Sequence, residues 1–452
     1  MQYAYRYAVP SSFTDDHLPK LSLATADAAD AGGAVHPYFF EGRVARPRLV
    51  ADLLTAVHAI VAARFFTPPN SVAKAIALAD PVVTSGGGLL RFEGFSSCCS
   101  AYVRADLLPQ AYRGEVVGKG TTNVDFNEPM RAALARVRDD AGLEFSVGQQ
   151  EFRLRSSGAD VIERKVDLPT RWIRGMLEVQ SYQAGMSRLF ESPAVEALQF
   201  FRTLPKASTS RTPLWIARGP KGLFATTRPV GAAVRVTDSS RLRVLHPLLP
   251  FARSLSVYAD DTQQANAWVV DFGEARLTVT LSAEVWRGFS GEGQALWALM
   301  QADAGDVGAT LTRVRAQLQW QAALDAPALA RELKVEAGVV EDVLRVLGAS
   351  GLAGYDVFAG SYFHRVLPFD LSMADDLHPR LVDAKALIEA GAVKVVRAEP
   401  FEADVASGEA AHRVREVDGE LRCTCPWFAR HQGERGPCKH VLAAAVLRPV
   451  AG

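Results

Sequence analysis

The chain has 452 residues, of which 48% are hydrophobic, and this length exceeds what one ordinary core holds, so we expect two to four domains. Lysine plus arginine equals aspartate plus glutamate at 50 each, which excludes a global charge that would attract nucleic acid or an anionic membrane. The longest apolar stretch, Val50 to Phe66, is interrupted by charged residues and predicts a core helix rather than a membrane span. The start of the chain lacks a secretory signal pattern, and five cysteines do not form a disulfide framework, so we expect a cytoplasmic protein.

The first half of the chain predicts two α+β units after a flexible tail at residues 1–35. In the α+β domain at 36–206 we expect a helix over 48–64, strands near Val82, Leu90 and Tyr102, and antiparallel pairing. Alternating segments at 143–147, 151–155 and 161–166 predict consecutive hairpins. Helices are predicted from Thr170 and after an N-cap at Ser192, and a smaller α+β domain is predicted at 207–292.

Residues 293–370 predict a winged-helix-like module. Helices at 326–334 and 336–349 follow a helical stretch, and two short strands at 352–357 and 361–366 follow them. A winged helix that binds DNA needs basic residues on its second helix. This helix carries Glu336, Glu341 and Asp342 against a single Arg345, so the module is predicted to repel a polyanion.

The C-terminal region carries the most specific motif of the chain. After a linker with one helix at 371–400, residues 401–452 contain Cys-x-Cys, twelve residues, and then Cys-x-His. Residues two apart on a strand share one face, so Cys423 and Cys425 at the end of a strand 420–425 can reach one ion. Cys438 and His440 lie where the chain enters a helix. Three thiolates and one imidazole form a closed set, which predicts one structural Zn²⁺. His412 and His431 are alternative ligands.

This order of strands, motif, loop and helix resembles the SWIM zinc finger, with Cys-Thr-Cys-Pro and Pro-Cys-Lys-His-Val-Leu in the motif positions. More loosely, the segments GFSSCCSAYVRADLLP, GTTNVDFN, ERKVDLPTRWIRG and YFHRVLPFD make the whole chain similar to long bacterial SWIM-finger proteins. That resemblance implies gene neighbours that encode MoxR-type AAA+ ATPases and von Willebrand factor A proteins. The expected fold class is therefore α+β multidomain, with antiparallel units, a winged-helix-like module and a C-terminal ββα finger.

Outside the finger, the chain contains no nucleophile elbow, phosphate loop or metalloprotease motif, so we predict a protein that is not an enzyme. Cys98 and Cys99 are adjacent, before an alternating segment without a local cation. We interpret them as small packing residues on opposite faces of a strand. A redox or nucleophilic role is the alternative.

Two functions follow from these features. The first is a non-enzymatic adaptor whose finger and winged-helix-like module dock a protein partner, such as an AAA+ ATPase or a von Willebrand factor A protein. The alternative is a nucleic-acid-binding factor that uses the basic loop of the finger. The side chains predicted to contact either partner are Trp427, Arg430, Arg435 and Lys439.

Overall fold

The computed structural model describes residues 13–14, 20–23, 38–67, 81–115, 119–123, 128–139, 144–148, 153–156, 159–162, 168–205, 212–302, 305–367 and 377–448. Its helices are α1 Pro47–Ala62, α2 Glu128–Arg136, α3 Thr170–Ala184, α4 Ala194–Thr203, α5 Ala295–Gln301, α6 Gly305–Arg315, α7 Ala326–Leu333, α8 Ala337–Ala349, α9 Pro379–Glu389, α10 Pro426–His431 and α11 Lys439–Ala445. None of the helices in these ranges has the length and apolar character needed to cross a bilayer.

The strands are β1 Phe13–Thr14, β2 Lys20–Leu23, β3 Tyr38–Val44, β4 Val82–Gly86, β5 Leu89–Phe95, β6 Ala101–Leu107, β7 Tyr112–Glu115, β8 Gly120–Asn123, β9 Glu144–Gly148, β10 Arg153–Ser156, β11 Ala159–Ile162, β12 Ser187–Pro193, β13 Leu214–Gly219, β14 Gly222–Thr226, β15 Val234–Val236, β16 Ser254–Ala259, β17 Ala265–Asp271, β18 Ala275–Ser282, β19 Ala353–Asp356, β20 Ser361–His364, β21 Val393–Arg397, β22 Glu402–Ser407, β23 Ala410–Val417 and β24 Glu420–Cys423. The chain divides into two compact units. The first contains 1–290, 319–324 and 354–368, and the second contains 291–318, 325–353 and 369–452.

The first unit is organised by an antiparallel eight-stranded sheet in the order β12-β16-β17-β18-β6-β5-β4-β8. Every residue of β6 is buried, which indicates that both faces of the sheet are covered there, and α1 packs against β5 and β6. This sheet contains strands from both of the α+β domains predicted from the sequence, which were divided after residue 206. Hydrogen bonding between distant strands creates this arrangement, and local patterning does not encode it.

A seven-stranded sheet corrects three expectations for the N-terminal region. Its order is β11-β10-β2-β9-β3-β7, with β1 paired to β2, so the segment predicted as a flexible tail contributes two strands. Strand β2 lies between β9 and β10, so the first of the predicted consecutive hairpins is wrong, whereas β10 and β11 do form one. The β2–β9 pair is parallel, in contrast to the all-antiparallel expectation.

Helix α4 has Pro193 rather than Ser192 as its N-cap, because β12 extends through Pro193.

In the second unit, α11 forms the centre of the core. Val441 and Ala444 pack on the inner face of the four-stranded sheet β21-β22-β23-β24, with Phe401, Val405 and Val414. Leu442 and Ala443 pack instead against Leu296 of α5 and Leu381 of α9. The finger helix therefore has two apolar faces.

The elements predicted for the winged-helix-like module are present in the expected order. Asp325 caps α7 through a hydrogen bond from the Ala328 N–H, as expected. However, α6, α7 and α8 belong to the second unit, whereas the β19–β20 hairpin belongs to the first from Gly354 onward. The winged-helix description itself stays a prediction.

Candidate metal centre

Four side chains predicted as ligands converge at the ends of three elements. Strands β23 and β24 form a hairpin whose turn residues, Asp418 and Gly419, both have positive φ, at 54° and 82°. Cys423 ends β24, and Cys425 is the N-cap of α10 rather than a strand residue, because the chain turns into a helix at Pro426. The strand predicted over 420–425 is therefore two residues shorter. Cys438 is the N-cap of α11, and His440 lies in its first turn.

The geometry of the cluster fits a tetrahedral zinc ion. All four residues are buried, and their ligand atoms lie within 4.8 Å of one another. Cys423 Sγ is 3.8 Å from His440 Nδ1. Zinc bonds of about 2.3 Å to sulfur and about 2.1 Å to nitrogen place neighbouring tetrahedral ligands roughly 3.6 Å apart. The site can therefore hold a Zn²⁺ with little rearrangement.

Backbone N–H groups stabilise the sulfur atoms. Phe428 N–H donates to Cys425 Sγ, and Val441 N–H donates to Cys438 Sγ, each over 3.4 Å, from the first turns of α10 and α11. Cys425 N–H donates to Cys423 Sγ over the same distance. Such donors favour thiolates. Without metal, hydrogen bonding with Cys423 and then burial raise the pKa of Cys438 to about 12, so zinc binding must displace a proton from this thiol.

The two alternative ligands lie outside the cluster. The His412 ring centroid is 4.4 Å from that of His440, so it packs beside a ligand instead of contributing one. Burial, followed by the charge of His440, lowers the pKa of His412 and favours its neutral form. His431 packs on Trp427, with ring centroids 4.8 Å apart.

Arg380 of α9 fixes the loop that precedes Cys438. Its guanidinium donates to the carbonyl oxygens of Arg435 and Pro437 over 3.0 and 2.9 Å, and to the Glu292 carbonyl over 2.9 Å. It also lies over the Trp427 ring, 4.7 Å from the centroid. Arg380 thus ties the metal-binding loop to the helical part of the same unit.

Three of the four side chains predicted for partner contact have intramolecular partners that the sequence did not reveal. Lys439 Nζ lies 3.1 Å from Asp383 Oδ2, and Arg435 Nε lies 3.6 Å from Glu292 Oε1. Trp427 lies beneath Arg380. Arg430 is exposed and has no ion-pair partner among the described residues. The acidic partners are 55 residues or more away in sequence, so a local charge count missed them.

Sequence reasoning also missed a basic face on the outer side of the finger sheet. Three exposed arginines, Arg397, Arg415 and Arg422, lie on it with side chains 55%, 57% and 52% exposed. Glu402 beneath them accepts hydrogen bonds from Arg397 over 2.6 Å and from Arg415 over 3.1 Å. Burial alone would raise the pKa of Glu402, but the hydrogen bonds from Arg415 and Arg397 outweigh it and lower the pKa. The alternation in the letters HRVREV was the signal that could have revealed part of this face.

The vicinal cysteines of the first unit lie in the turn between β5 and β6, so the strand interpretation is wrong. Cys99 has φ 57°, is fully buried, and has its pKa raised by burial to about 11. Cys98 is partly exposed, and its Sγ lies 3.2 Å from Ser100 Oγ. Burial alone would raise the pKa of Cys98, but hydrogen bonds from the Ser100 and Ser96 hydroxyls outweigh it and lower the pKa. The thiols therefore differ in reactivity.

A buried ionic network in the first unit was also not predicted. Asp356 of β19 pairs with Arg104 over 2.9 Å and with Arg91 over 3.2 Å, and Asp106 pairs with the same two arginines. Beside it, Arg365 pairs with Glu93. All of these side chains are at most 3% exposed, so each charge depends on its partners. The network anchors the β19–β20 segment on the eight-stranded sheet.

Three thiolates and one imidazole in a closed, buried tetrahedron define a structural zinc-binding module. In agreement, residues 412–448 match the SWIM zinc finger family model. The comparison with curated proteins found no match to the chain. Among solved structures, the chain is similar to the proliferating cellular nuclear antigen of Entamoeba histolytica, with 9% identity and a TM-score of 0.38, covering 54% of this chain and 98% of that one. It is also similar to a chain of the PCNA2-PCNA3 complex of Sulfolobus tokodaii, with 7% identity and a TM-score of 0.36, covering 54% and 100%.

Proposed function

We propose that the protein is a zinc-stabilised, non-enzymatic adaptor that docks a protein partner on its second unit. The observation that carries this proposal is the closed ligand set. Four buried protein ligands leave no position for water or substrate, so the metal supplies folding free energy rather than chemistry. Because the metal does no chemistry in this proposal, the folded module acts by binding a partner through its surface.

The charge distribution favours a protein over a nucleic acid as the partner. Arg435 and Lys439 are paired with Glu292 and Asp383, so the metal-binding loop offers fewer free cations than its sequence suggests. In the winged-helix-like module, Arg345 of α8 is paired with Glu341 and Asp342 of the same helix. Neither element offers the cluster of unpaired cations that phosphate contacts require.

For the partner, we propose an AAA+ ATPase of the MoxR type or a von Willebrand factor A protein, on the basis of the resemblance of the whole chain. The test mixes the purified zinc-loaded protein with purified candidates of both classes and follows complex formation by sedimentation velocity. We expect a complex that survives nuclease treatment and that a Cys438→Ala variant does not form. A complex that forms equally well with this variant would contradict a role for the finger.

Zinc content is measured on the same samples, and we expect one zinc per chain in the native protein and less than one in Cys438→Ala. Native protein that binds no zinc, or a variant that keeps its full zinc content, would disprove the ligand assignment.

The alternative function, nucleic-acid binding, is favoured by one specific observation, the exposed arginines on the outer face of the finger sheet. On this hypothesis, substitution of Arg397, Arg415 and Arg422 by serine weakens binding of a fluorescent DNA duplex. Substitution of Arg430, Arg435 and Lys439 by serine tests the loop. We expect weak, sequence-independent binding with a steep salt dependence. Submicromolar, sequence-selective binding at physiological salt would favour the alternative over the adaptor.

A further inference from the structure

The four-stranded sheet of the second unit ends on one side in an exposed edge strand. Strand β21 pairs only with β22 among the described strands, and four of its five residues are exposed. Val395 and Val396 are 40% and 49% exposed, although valine is usually buried in strands. Proteins normally avoid an exposed apolar edge, because it is a template for pairing with another strand.

The hydrogen-bond phase of the sheet determines which backbone groups of β21 face outward. Ala406 N–H donates to the Ala392 carbonyl over 2.9 Å, so Ala392 and Ala406 form a hydrogen-bonded antiparallel pair. Such pairs alternate along a ladder, and Lys394 and Asp404 are the next one. Val393 and Val395 therefore direct their N–H and C=O groups away from β22, toward the open edge. These two residues offer two donors and two acceptors to an incoming strand.

The charges on β21 select the kind of strand that it can accept. Lys394 is exposed and lies opposite Asp404 of β22, whose carboxylate accepts two hydrogen bonds from Arg413, so Asp404 neutralises Lys394 only in part. Arg397 remains 55% exposed beside Glu402. In the antiparallel register that hydrogen-bonds Val393 to Val395 of a second copy of β21, Lys394 would face its own equivalent, and like charges directly opposite each other are destabilising. A register irregularity between Val395 and Arg397 also disfavours self-pairing. An acidic strand avoids the first of these obstacles, because its carboxylate would be attracted to Lys394.

We propose that β21 binds an extended segment of a protein partner as a fifth strand of this sheet. The segment carries an aspartate or glutamate that faces Lys394 and a β-branched residue that contacts Val395. Backbone hydrogen bonds from Val393 and Val395 supply affinity, and the side chains supply specificity. This inference rests on the proposed adaptor function and adds the chemistry of the partner and the place where it docks.

The probe for the test is a ten-residue fluorescent peptide that alternates valine and glutamate, titrated against the zinc-loaded full chain by anisotropy. We expect saturable binding, which Lys394→Glu weakens by roughly 10-fold or more. The matched control is Arg422→Glu, an equal charge change on β24 at the opposite edge, and it should leave the affinity within about 2-fold. A peptide that alternates valine and lysine should not bind. Equal losses in the two variants would overturn the site.

A second probe separates strand addition from charge attraction without changing the protein. The same peptide with its valine amides N-methylated keeps its side chains and charges but loses the backbone donors that would face Val393 and Val395, because the glutamates opposite Lys394 direct their N–H groups away from β21. We expect it not to bind, and equal binding of both peptides would refute strand addition. Concentration-dependent dimers that Lys394→Glu abolishes, or displacement of the peptide by a DNA oligonucleotide whose own binding requires Lys394, would also overturn the proposal in favour of those occupants.

Failure of this inference can be distinguished from failure of the adaptor function. If a complex with an ATPase or von Willebrand factor A protein requires the zinc site but is unchanged by Lys394→Glu, the docking place on β21 is wrong and the adaptor function stands. If the acidic peptide binds at β21 but no partner complex depends on zinc, the docking place on β21 stands and the proposed adaptor function of the finger is wrong.

Discussion

Replacing Gly436 with alanine tests how the metal-binding loop is held. Gly436 has φ 77°, a conformation that costs alanine about 1–2 kcal/mol. A Cβ added there would lie 2.3 Å from the Gly293 carbonyl oxygen and 2.4 Å from its carbon, both backbone atoms that cannot rotate away. The two segments must separate by about 1 Å, and an overpacked contact of this kind costs a further 1–3 kcal/mol or so. We expect a total of about 3 kcal/mol.

The same loop contains the control. Gly433 has φ 81°, but its added Cβ would meet nothing closer than Phe428 Cε2 at 3.9 Å. Gly433→Ala therefore carries the backbone cost without the overlap, about 1 kcal/mol. The difference between the two variants, about 2 kcal/mol, isolates the packing of the loop against Gly293.

The assay is competition for zinc with a chromophoric chelator, because Cys438 lies two residues after Gly436 and loop folding is coupled to metal binding. A difference of about 2 kcal/mol corresponds to a zinc affinity roughly 30-fold weaker in Gly436→Ala than in Gly433→Ala. Displacement of the loop would also break the bonds from Arg380 to the Arg435 and Pro437 carbonyls. Equal affinities in the two variants would refute the close contact between residues 293 and 436.

Three further predictions concern the first unit. Asp356→Asn removes a charge from two buried arginines and should lower the free energy of urea unfolding of the first unit by about 3 kcal/mol. Glu191→Gln, in the exposed pair with Arg188 of the same unit, should lower it by less than about 1 kcal/mol, and similar losses would contradict the buried network. Burial lowers the pKa of His364 to about 4, and its Nδ1 accepts a hydrogen bond from the backbone N–H of Trp320. The native ring therefore stays neutral while the unfolded one gains a proton below about pH 6.5, so the free energy of unfolding should fall by about 1–2 kcal/mol between pH 6.5 and 5. His364→Asn, which keeps an acceptor but does not titrate, should flatten this decline. Iodoacetamide should alkylate Cys98 well before Cys99 in the zinc-loaded protein, as followed by mass spectrometry, and faster reaction at Cys99 would contradict the burial and pKa of the two thiols.

The zinc ligands could be predicted from the sequence because their arrangement depends on local geometry. The Asp418-Gly419 turn, the preceding strands and the two short ligand spacings are each encoded within a few residues. The helix α10 was missed for a local reason as well, since the six residues 426–431 are too few to give a helical period. Cys425 consequently caps a helix where a strand residue was expected.

The features that were missed depend on contacts between distant segments. Strand β21 lies in what was predicted as a linker, because only Val393 to Val395 alternate and three residues are too few to predict a strand. Its pairing with β22 is what defines it as a strand. Asp383 and Glu292 neutralise Lys439 and Arg435 from positions that no local count includes. The insertion of β2 between β9 and β10 is of the same kind, because nothing in a hairpin pattern reports that a third strand separates its members.

The position of α11 determines how much of the protein should unfold when zinc is lost. Local unfolding limited to residues 401–452 would require the core between α11 and the sheet to be independent of the helices that precede the finger. Leu442 and Ala443 instead complete a cluster with Leu296 and Leu381, and Cys438 is the N-cap of the helix that carries them. When Cys438 loses its metal, the start of α11 loses its anchor, and the helices α5 and α9 lose the surface on which they pack. We therefore expect loss of zinc to destabilise the second unit as a whole, including the sheet that ends in β21, rather than the finger alone.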